Sequence, residues 1–370
     1  MIIARSLHDQ RSSVDRTPID DPPETVQAVD PFVGIGVGCL RDMAAIAALL
    51  TADPAPLREG RARRLVALAP AREVVLHVWS DQAVTLAAAW SPSRPAPWAA
   101  FDNVHVVYDG RFDDRSGLRR ALAATGPDVP IDATDASLLA RAYAAWGSDG
   151  LTRVSGEFAA CIWDGRRQVL VAARDRFGVK PLFYGAHPDA VTVCSSLTAL
   201  RRESGQAERL SDEAIGDFLL FGAPQDPGAT CFAGLSRVPP ASTVAFELGR
   251  SARAASYWHP VAVEPLRYRD PREYVDHFRE TLRTCVLERL DGGFVSIFMS
   301  GGLDSSSVAA MATGPGGARP EQCLAVTAVY DTLFPDQERR FSAVVARALG
   351  VEIQHVPVDH YDLFDRWDRD

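Results

Sequence analysis

Apolar and polar positions follow two different rhythms along this chain of 370 residues. Up to about residue 206 they read as short strands and hairpins around isolated helices. Phe158 to Trp163 and Gln168 to Ala173 are apolar runs joined by Asp164-Gly165-Arg166-Arg167. A short turn containing Asp-Gly between such runs predicts a hairpin. Just before it, Leu138, Leu139, Ala142, Tyr143 and Trp146 recur at helical spacing, with Thr134 placed to cap the helix and Gly147 to end it. Short strands around isolated helices predict an α+β domain.

The rhythm changes near Asp270. Asp270-Pro271-Arg272-Glu273 supplies an N-cap, a proline at the first helical position and a carboxylate at the third, and Phe278, Leu282, Cys285 and Val286 then line one helix face. Strand and helix alternate from there. Phe294 to Met299 predicts a strand, Ser305 to Thr313 a buried helix and Cys323 to Tyr330 a strand. Asp336 to Leu349 predicts a helix closed by Gly350, and Val351 to Val358 a further strand. Such alternation implies βαβ units and a parallel sheet. The expected organisation is a disordered arm over 1–30, one domain over 31–206, a connecting segment over 207–269 and a second domain over 270–370.

Composition narrows the function classes. A net charge of −9 gives no basic footprint for nucleic acid or an anionic membrane. No apolar run approaches the roughly 20 residues of a membrane span. The first thirty residues lack the apolar core of a signal peptide. Cys39, Cys161, Cys194, Cys231, Cys285 and Cys323 lie far apart without a Cys-x-x-Cys pair. That usage fits reduced thiols in a cytoplasmic protein and argues against a zinc site or disulfide framework.

The segment with candidate chemistry joins the strand ending at Met299 to the following helix: Ser300-Gly301-Gly302-Leu303-Asp304-Ser305-Ser306. In an open parallel sheet, ligands bind outside the carboxyl ends of the strands. Two glycines let the backbone approach a phosphate, and the first helical amides then point at the anion. Ser300, Ser305 and Ser306 can donate hydroxyl hydrogen bonds. Asp304 has the wrong sign for a phosphate but suits Mg²⁺, which prefers carboxylate plus phosphate oxygens. No Gly-Lys-Ser/Thr follows, so this is not a Walker-type loop. Taken as structure only, the same residues are a Gly-Gly turn before a buried helix.

At these residues the chain resembles the asparagine synthetase family, whose loop binds the pyrophosphate part of ATP. The likeness extends backwards. Asp109-Gly110-Arg111-Phe112, Thr134 to Leu139, Gly156-Glu157-Phe158-Ala159 and Ala173 to Tyr184 are similar to its N-terminal glutaminase domain. Leu235 to Pro240 and Ser256-Tyr257-Trp258 are similar to its connection into the synthetase domain. The resemblance implies an N-terminal-nucleophile (Ntn) amidotransferase-like α+β domain, followed by an α/β adenine-nucleotide α-hydrolase-like domain with a parallel sheet. It implies ATP and Mg²⁺ as cofactors and an AMP-forming carbon–nitrogen ligase that adenylates a carboxylate before an amine attacks. It places Ser300 to Ser306 on the pyrophosphate, Met299 and Ala328 on the adenine, and Asp304 on magnesium.

The pattern breaks in two places. The family's glutaminase nucleophile is an N-terminal cysteine, whereas position 2 here is Ile2 and the first cysteine, Cys39, reads as a buried apolar thiol. No glutaminase nucleophile is therefore assigned. The family's Arg-Gly-Pro-Asp run has no counterpart between Cys39 and Phe101, and its Asn-Gly oxyanion pair stands as Asp109-Gly110. An ionised carboxylate cannot donate to an oxyanion. Asp135, which the family uses to hold the substrate amine, is the one survivor of a vestigial glutamine pocket, and taken alone it reads equally well as a charge at the N-terminus of its helix. Second, the family's Ser-Gly-Glu-Gly-x-Asp-Glu motif does not occur before Asp370, so the synthetase domain is expected to be truncated at its C-terminus. The logic matches family members without glutaminase activity, the lasso-peptide cyclases and β-lactam synthetases. The expected substrate is then a small molecule or peptide carrying both a carboxylate and an amine, with a second copy of the chain or a precursor-processing protein as further partner classes. A glutamine-hydrolysing asparagine synthase with a wrongly assigned start, and a non-catalytic chain, are the alternatives.

Overall fold

The computed structural model describes residues 2–5, 44–67, 74–126, 129–187, 189–204, 209–290, 293–333 and 335–359. The chain divides into two compact units, one formed by residues 40–263 and the other by 1–39 with 264–370. Cys39 and residues 6–43 lie outside the described residues.

The chain opens on a short strand, β1 (Ile2–Arg5), which belongs to the second unit. The first unit begins with β2 (Ala45–Thr51), α1 (Ala55–Val66), β3 (Val75–Ser80), β4 (Val84–Trp90), β5 (Trp98–Phe101) and β6 (Val104–Phe112). It continues through α2 (Arg115–Ala123), α3 (Asp135–Trp146), β7 (Gly156–Asp164), β8 (Val169–Arg174), β9 (Phe183–His187), β10 (Ala190–Cys194), α4 (Leu197–Ser204) and α5 (Asp212–Phe221). Strands β11 (Ser236–Arg237), β12 (Ser242–Phe246) and β13 (Arg253–Ser256) complete it. The strands form two six-stranded sheets, ordered β11-β9-β10-β2-β4-β3 and β13-β12-β8-β7-β6-β5.

Burial shows how these layers stack. Ile46, Leu50 and Leu86 from one sheet pack with Cys161, Trp163, Leu170 and Phe246 from the other. The alternate residues of β2, Ala47 and Leu49, pack with Leu65 of α1 and Leu200 of α4. Phe158 and Ile162 pack with Leu118 of α2 and Leu138 and Leu139 of α3. The unit is thus a helix–sheet–sheet–helix sandwich. Each central strand is buried on both faces, which is why its sequence reads as a continuous apolar run rather than an alternation. At one side of the sandwich, two His–Trp stacks join the sheets: His77 on Trp98 at 3.8 Å and Trp79 on His105 at 3.7 Å.

Local sequence signals fall where expected. Thr134 caps α3 by accepting the Ser137 amide at 3.2 Å, and Gly147 ends it at φ 61°. Asp164 Oδ1 accepts the amides of Arg166 and Arg167 and shapes the β7–β8 hairpin. The segment 207–269 is more than a connection. β12 pairs with β8 and β13 with β12, so the second sheet is finished from within it. β13 is exposed at all four positions, which hid it as a strand.

The second unit holds α6 (Pro271–Leu287), β14 (Phe294–Phe298), α7 (Leu303–Thr313), β15 (Cys323–Val329), α8 (Glu338–Leu349) and β16 (Glu352–Pro357). β14, β15 and β16 are parallel, as the alternation implies. Ile2 to Arg5, expected to be disordered, instead form an antiparallel edge strand against β14. Four residues satisfy an open edge without a pattern long enough to read in the sequence. The capping box at Asp270 and Glu273 is present. The α6 face is buried at Val286 and partly at Leu282, whereas Phe278 (69% exposed) and Cys285 remain open to solvent. No helix of the described residues is long and apolar enough to cross a membrane.

Candidate functional site

The glycine-serine loop sits at the carboxyl end of β14. Met299 still pairs with β15: its amide donates to Val326 O at 2.9 Å and its carbonyl accepts Thr327 Oγ1 at 2.6 Å. Its side chain is 1% exposed and packs in the core with Ala309 and Ala346. Met299 therefore offers a ligand at this end of the strand its backbone rather than its side chain. Ala328 lies half-buried at the end of β15.

Gly301 then turns the chain at φ +83°. A Cβ there would stand 2.6 Å from Ser342 N and 2.7 Å from the Phe341 carbonyl carbon. Both the dihedral and the approach of α8 demand glycine. Gly302 is different: φ is −71°, and a Cβ would meet only Ser300 Oγ at 3.3 Å. Ser300 Oγ lies 3.2 Å from Ser305 Oγ and accepts the Gly302 amide at 3.3 Å, so the two serines brace the loop. Helix α7 starts at Leu303 without a side-chain cap, and its first intrahelical bond is from the Ser306 amide to Gly302 O. The initial amides of the helix thus stay available to an anion. Leu303 is 87% exposed, Asp304 is exposed, and Ser306 Oγ is buried with no hydrogen-bond partner among the described residues.

The loop after β15 is organised by two carboxylates that the sequence reading did not single out. Asp359 accepts the amides of Asp331 (2.7 Å), Thr332 (2.6 Å) and Leu333 (2.9 Å) as well as Thr332 Oγ1 (3.0 Å). These donors, the Asp331 amide first, hold its carboxyl well below the usual carboxylate range. Asp336 accepts the amides of Glu338 and Tyr330, which lower its pKa in the same way. Arg339 Nη2 grips both oxygens of Asp331, at 2.7 and 2.9 Å. Together these bonds fix the rim of the sheet beside the glycine loop.

The residues expected to form a vestigial glutamine pocket in the sandwich have a different character. Asp109 is 2% exposed. Its Oδ1 accepts the Ala44 amide at 3.0 Å, and Lys180 Nζ stands 3.1 Å from Oδ2. Gly110 is required by strand packing, because a Cβ there would stand 2.1 Å from Glu157 O. Asp135 Oδ2 accepts the Phe112 amide at 2.9 Å, and Oδ1 faces Arg115 Nε at 3.0 Å. Burial raises the Asp135 pKa, against the lowering effect of the Phe112 amide and of Arg115. Ala44, immediately before β2, is the residue that sequence reasoning missed. Its amide donates to Asp109 Oδ1, and its side chain is a methyl group. The signal available was a negative one: an apolar run from Ala44 to Leu50 headed by residues without chemistry. Among the described residues, no group of three or more His, Cys, Asp or Glu could by itself hold a metal ion.

Comparison with known proteins fits this two-part arrangement. A model of the glutamine amidotransferase domain matches residues 94–258, and a model of asparagine synthase matches residues 277–369. Asparagine synthetase [glutamine-hydrolyzing] 3 of Bacillus subtilis (strain 168) is 29% identical over 215 residues, covering 58% of this chain and 34% of that protein. Amidase chyE of Penicillium rubens is 29% identical over 292 residues, covering 75% of this chain and 42% of that protein. Amidase chry2 of Gibberella zeae is 28% identical over 280 residues, covering 72% and 40% respectively. The chain thus spans less than half the length of these curated relatives. Among solved structures, the glutamine phosphoribosylpyrophosphate amidotransferase of B. subtilis aligns over 84% of this chain and 80% of that one, with a TM-score of 0.39 and 13% identity. Similarity at that level supports no argument about function.

Proposed function

Because the chain belongs to the asparagine synthetase family through both of its domains, we propose that it acts as an ATP-dependent, amide-forming carbon–nitrogen ligase. The single observation that supports this most is the Ser300–Ser306 turn: a strand-to-helix loop with an uncapped helix start, at the carboxyl end of a parallel sheet. The α7 amides and the Ser300 and Ser305 hydroxyls would bind the pyrophosphate part of ATP. Backbone at Met299 and the Ala328 region would meet the adenine.

Asp304 is exposed in the first turn of α7 and is the one carboxylate of the loop. With phosphate oxygens as co-ligands it fits Mg²⁺, whose bound charge would offset the charge developing on departing pyrophosphate. The substrate carboxylate would be adenylated with release of pyrophosphate, and an amine would then displace AMP to form the amide.

We further read the sandwich domain as lacking glutaminase activity. Ala44 has no nucleophilic side chain, and Asp109, held by Lys180, offers an oxyanion no donor. An amine supplied with the substrate removes the need for released ammonia. That favours a cyclase acting on a peptide or small amino acid over a glutamine-hydrolysing asparagine synthase. Glutamate release from glutamine should stay at background, and measurable release would revive the asparagine synthase reading.

The main test is carboxylate-dependent exchange of labelled pyrophosphate into ATP, run with a panel of free amino acids and peptides. Asp304→Asn is nearly isosteric, so circular dichroism should show an unchanged fold. Loss of electrostatic stabilisation of this kind costs about 3 kcal/mol in the barrier, roughly a hundredfold in rate. If Asp304 served only the helix start, asparagine would do as well. A folded Asp304→Asn variant exchanging at the wild-type rate would therefore remove the magnesium role.

A further inference from the structure

We propose that His355 is a positioning residue for the glycine-serine loop, acting through Ser342 to fix helix α8, on whose backbone Gly301 rests. This rests on the reading of Ser300–Ser306 as a phosphate loop. Gly301 lies too close to α8 for even a Cβ, which would stand 2.6 Å from Ser342 N. Any shift of α8 therefore moves the loop, and with it the amides that must meet the phosphates. Errors well under 1 Å matter to such a site.

Besides the apolar packing of Val345, Ala346 and Leu349, what anchors α8 where Gly301 meets it is a buried hydroxyl. Ser342 is 0% exposed. Its Oγ donates to Glu338 O at 2.6 Å and lies 3.2 Å from His355 Nε2. A hydroxyl whose hydrogen is committed to a carbonyl can only accept from a second partner, so Nε2 carries the hydrogen and donates to it. His355 is itself anchored in the sheet. It pairs with Thr327 across β15 and β16, and Thr327 Oγ1 donates to Met299 O, the residue that leads into the loop. One row of residues thus meets the loop from both sides: Met299 and Thr327 along the backbone, His355 and Ser342 beneath Gly301. Two other polar tethers of α8, Arg339 on Asp331 between side chains nearly half exposed and the Glu338 amide on Asp336, hold the first turn rather than the point of contact.

The test is titration of the full chain with ATP and Mg²⁺, alongside thermal melts. His355→Ala and Ser342→Ala should each weaken binding about fivefold to tenfold, the range that one lost hydrogen bond gives. His355→Gln keeps an N–H donor in reach of Ser342 and should bind within about twofold of wild type, again on the scale of one hydrogen bond. Ser342→Ala separates positioning from stability, since alanine is the better helix former and its melt should fall little. This variant carries the test if His355→Ala fails to fold. Wild-type affinity in Ser342→Ala, or His355→Gln binding as weakly as His355→Ala, would overturn the positioning role and leave the phosphate-loop reading standing. A wild-type chain that binds no MgATP would overturn both.

Discussion

The two units place the same kinds of groups in opposite states. In the sandwich, Asp109 accepts the Ala44 amide on Oδ1 and stands within ion-pair distance of Lys180 through Oδ2, and Asp135 accepts the Phe112 amide on Oδ2 and faces Arg115 through Oδ1, neither ion-paired oxygen receiving a formed hydrogen bond. Both carboxylates are engaged from within the fold by one backbone amide and one cation each. At the glycine-serine loop, helix α7 starts uncapped, Asp304 is exposed, and among the described residues Ser300 and Ser305 bond only to one another and to the loop backbone. A buried carboxylate engaged by an amide and a cation of its own fold has less left to offer a ligand than an exposed one. Resemblance to a family covers both units alike, whereas the hydrogen-bond partners separate them.

The strongest way to break this contrast is to remove Lys180. If Asp109 is a strut, Lys180→Ala leaves a carboxylate at 2% exposure with its ion pair gone. Breaking one side of a buried pair typically costs about 3–5 kcal/mol, and Lys180 is 17% exposed, so the lower end applies. Urea unfolding should show a loss of about 3 kcal/mol in the sandwich transition. Asp109→Asn combined with Lys180→Met keeps an acceptor for the Ala44 amide while removing both charges, and should recover most of that loss. A single Lys180→Ala variant as stable as wild type would mean that Asp109 is not held as a strut.

The loop supplies an intermediate effect and an internal control. Gly301→Ala forces a Cβ into backbone at 2.6 Å from a φ of +83°. Strain of that kind costs about 1–3 kcal/mol, and because α8 cannot yield, the loop should lose most of its MgATP affinity. Gly302→Ala, at φ −71° with only a serine hydroxyl nearby, should cost a few tenths of a kcal/mol, or up to about 1. Equal effects at both glycines, read by titration and melting, would dissolve the distinction between a glycine that the packing requires and one that it tolerates.

What could be read from the sequence follows from how local its cause is. Thr134, Gly147, Asp270 and Gly350 mark helix ends through bonds to residues a few positions away, so their signals are contained in short windows. The strand–loop–helix run from Phe294 was legible for the same reason. β1 and β13 were not, because each has four residues and is defined by a partner strand rather than by its own pattern. Lys180 could be quoted within a family-like run, but its pairing with Asp109 spans 71 positions (180 minus 109). Ala44 was hardest, because its bond to Asp109 is made by a backbone amide and leaves no mark on residue type.

The smallest effect is expected at Asp135, and it separates a strut from a remnant of the glutamine pocket by pH rather than by size. Burial raises the carboxyl pKa of Asp135 in the folded chain above its unfolded value, even with Phe112 and Arg115 pulling it down. For an acid shifted in this direction, the unfolded state gives up its proton first. Stability is therefore greatest below the unfolded pKa and falls as pH rises toward and through the folded one. Asp135→Asn cannot titrate and should lack that fall. It keeps an acceptor for the Phe112 amide and loses only the ion pair with Arg115, whose side chain is 49% exposed. At neutral pH the variant should lie within about 1 kcal/mol of wild type, since partly exposed pairs contribute little. Across a series of melts rising from about pH 4, near the ordinary aspartate value, the stability of Asp135→Asn relative to wild type should increase. A relative stability that decreases with pH would mean that the folded carboxylate is stabilised by its neighbours, as an ammonium-binding site requires. The amidotransferase pocket would then have kept one working part.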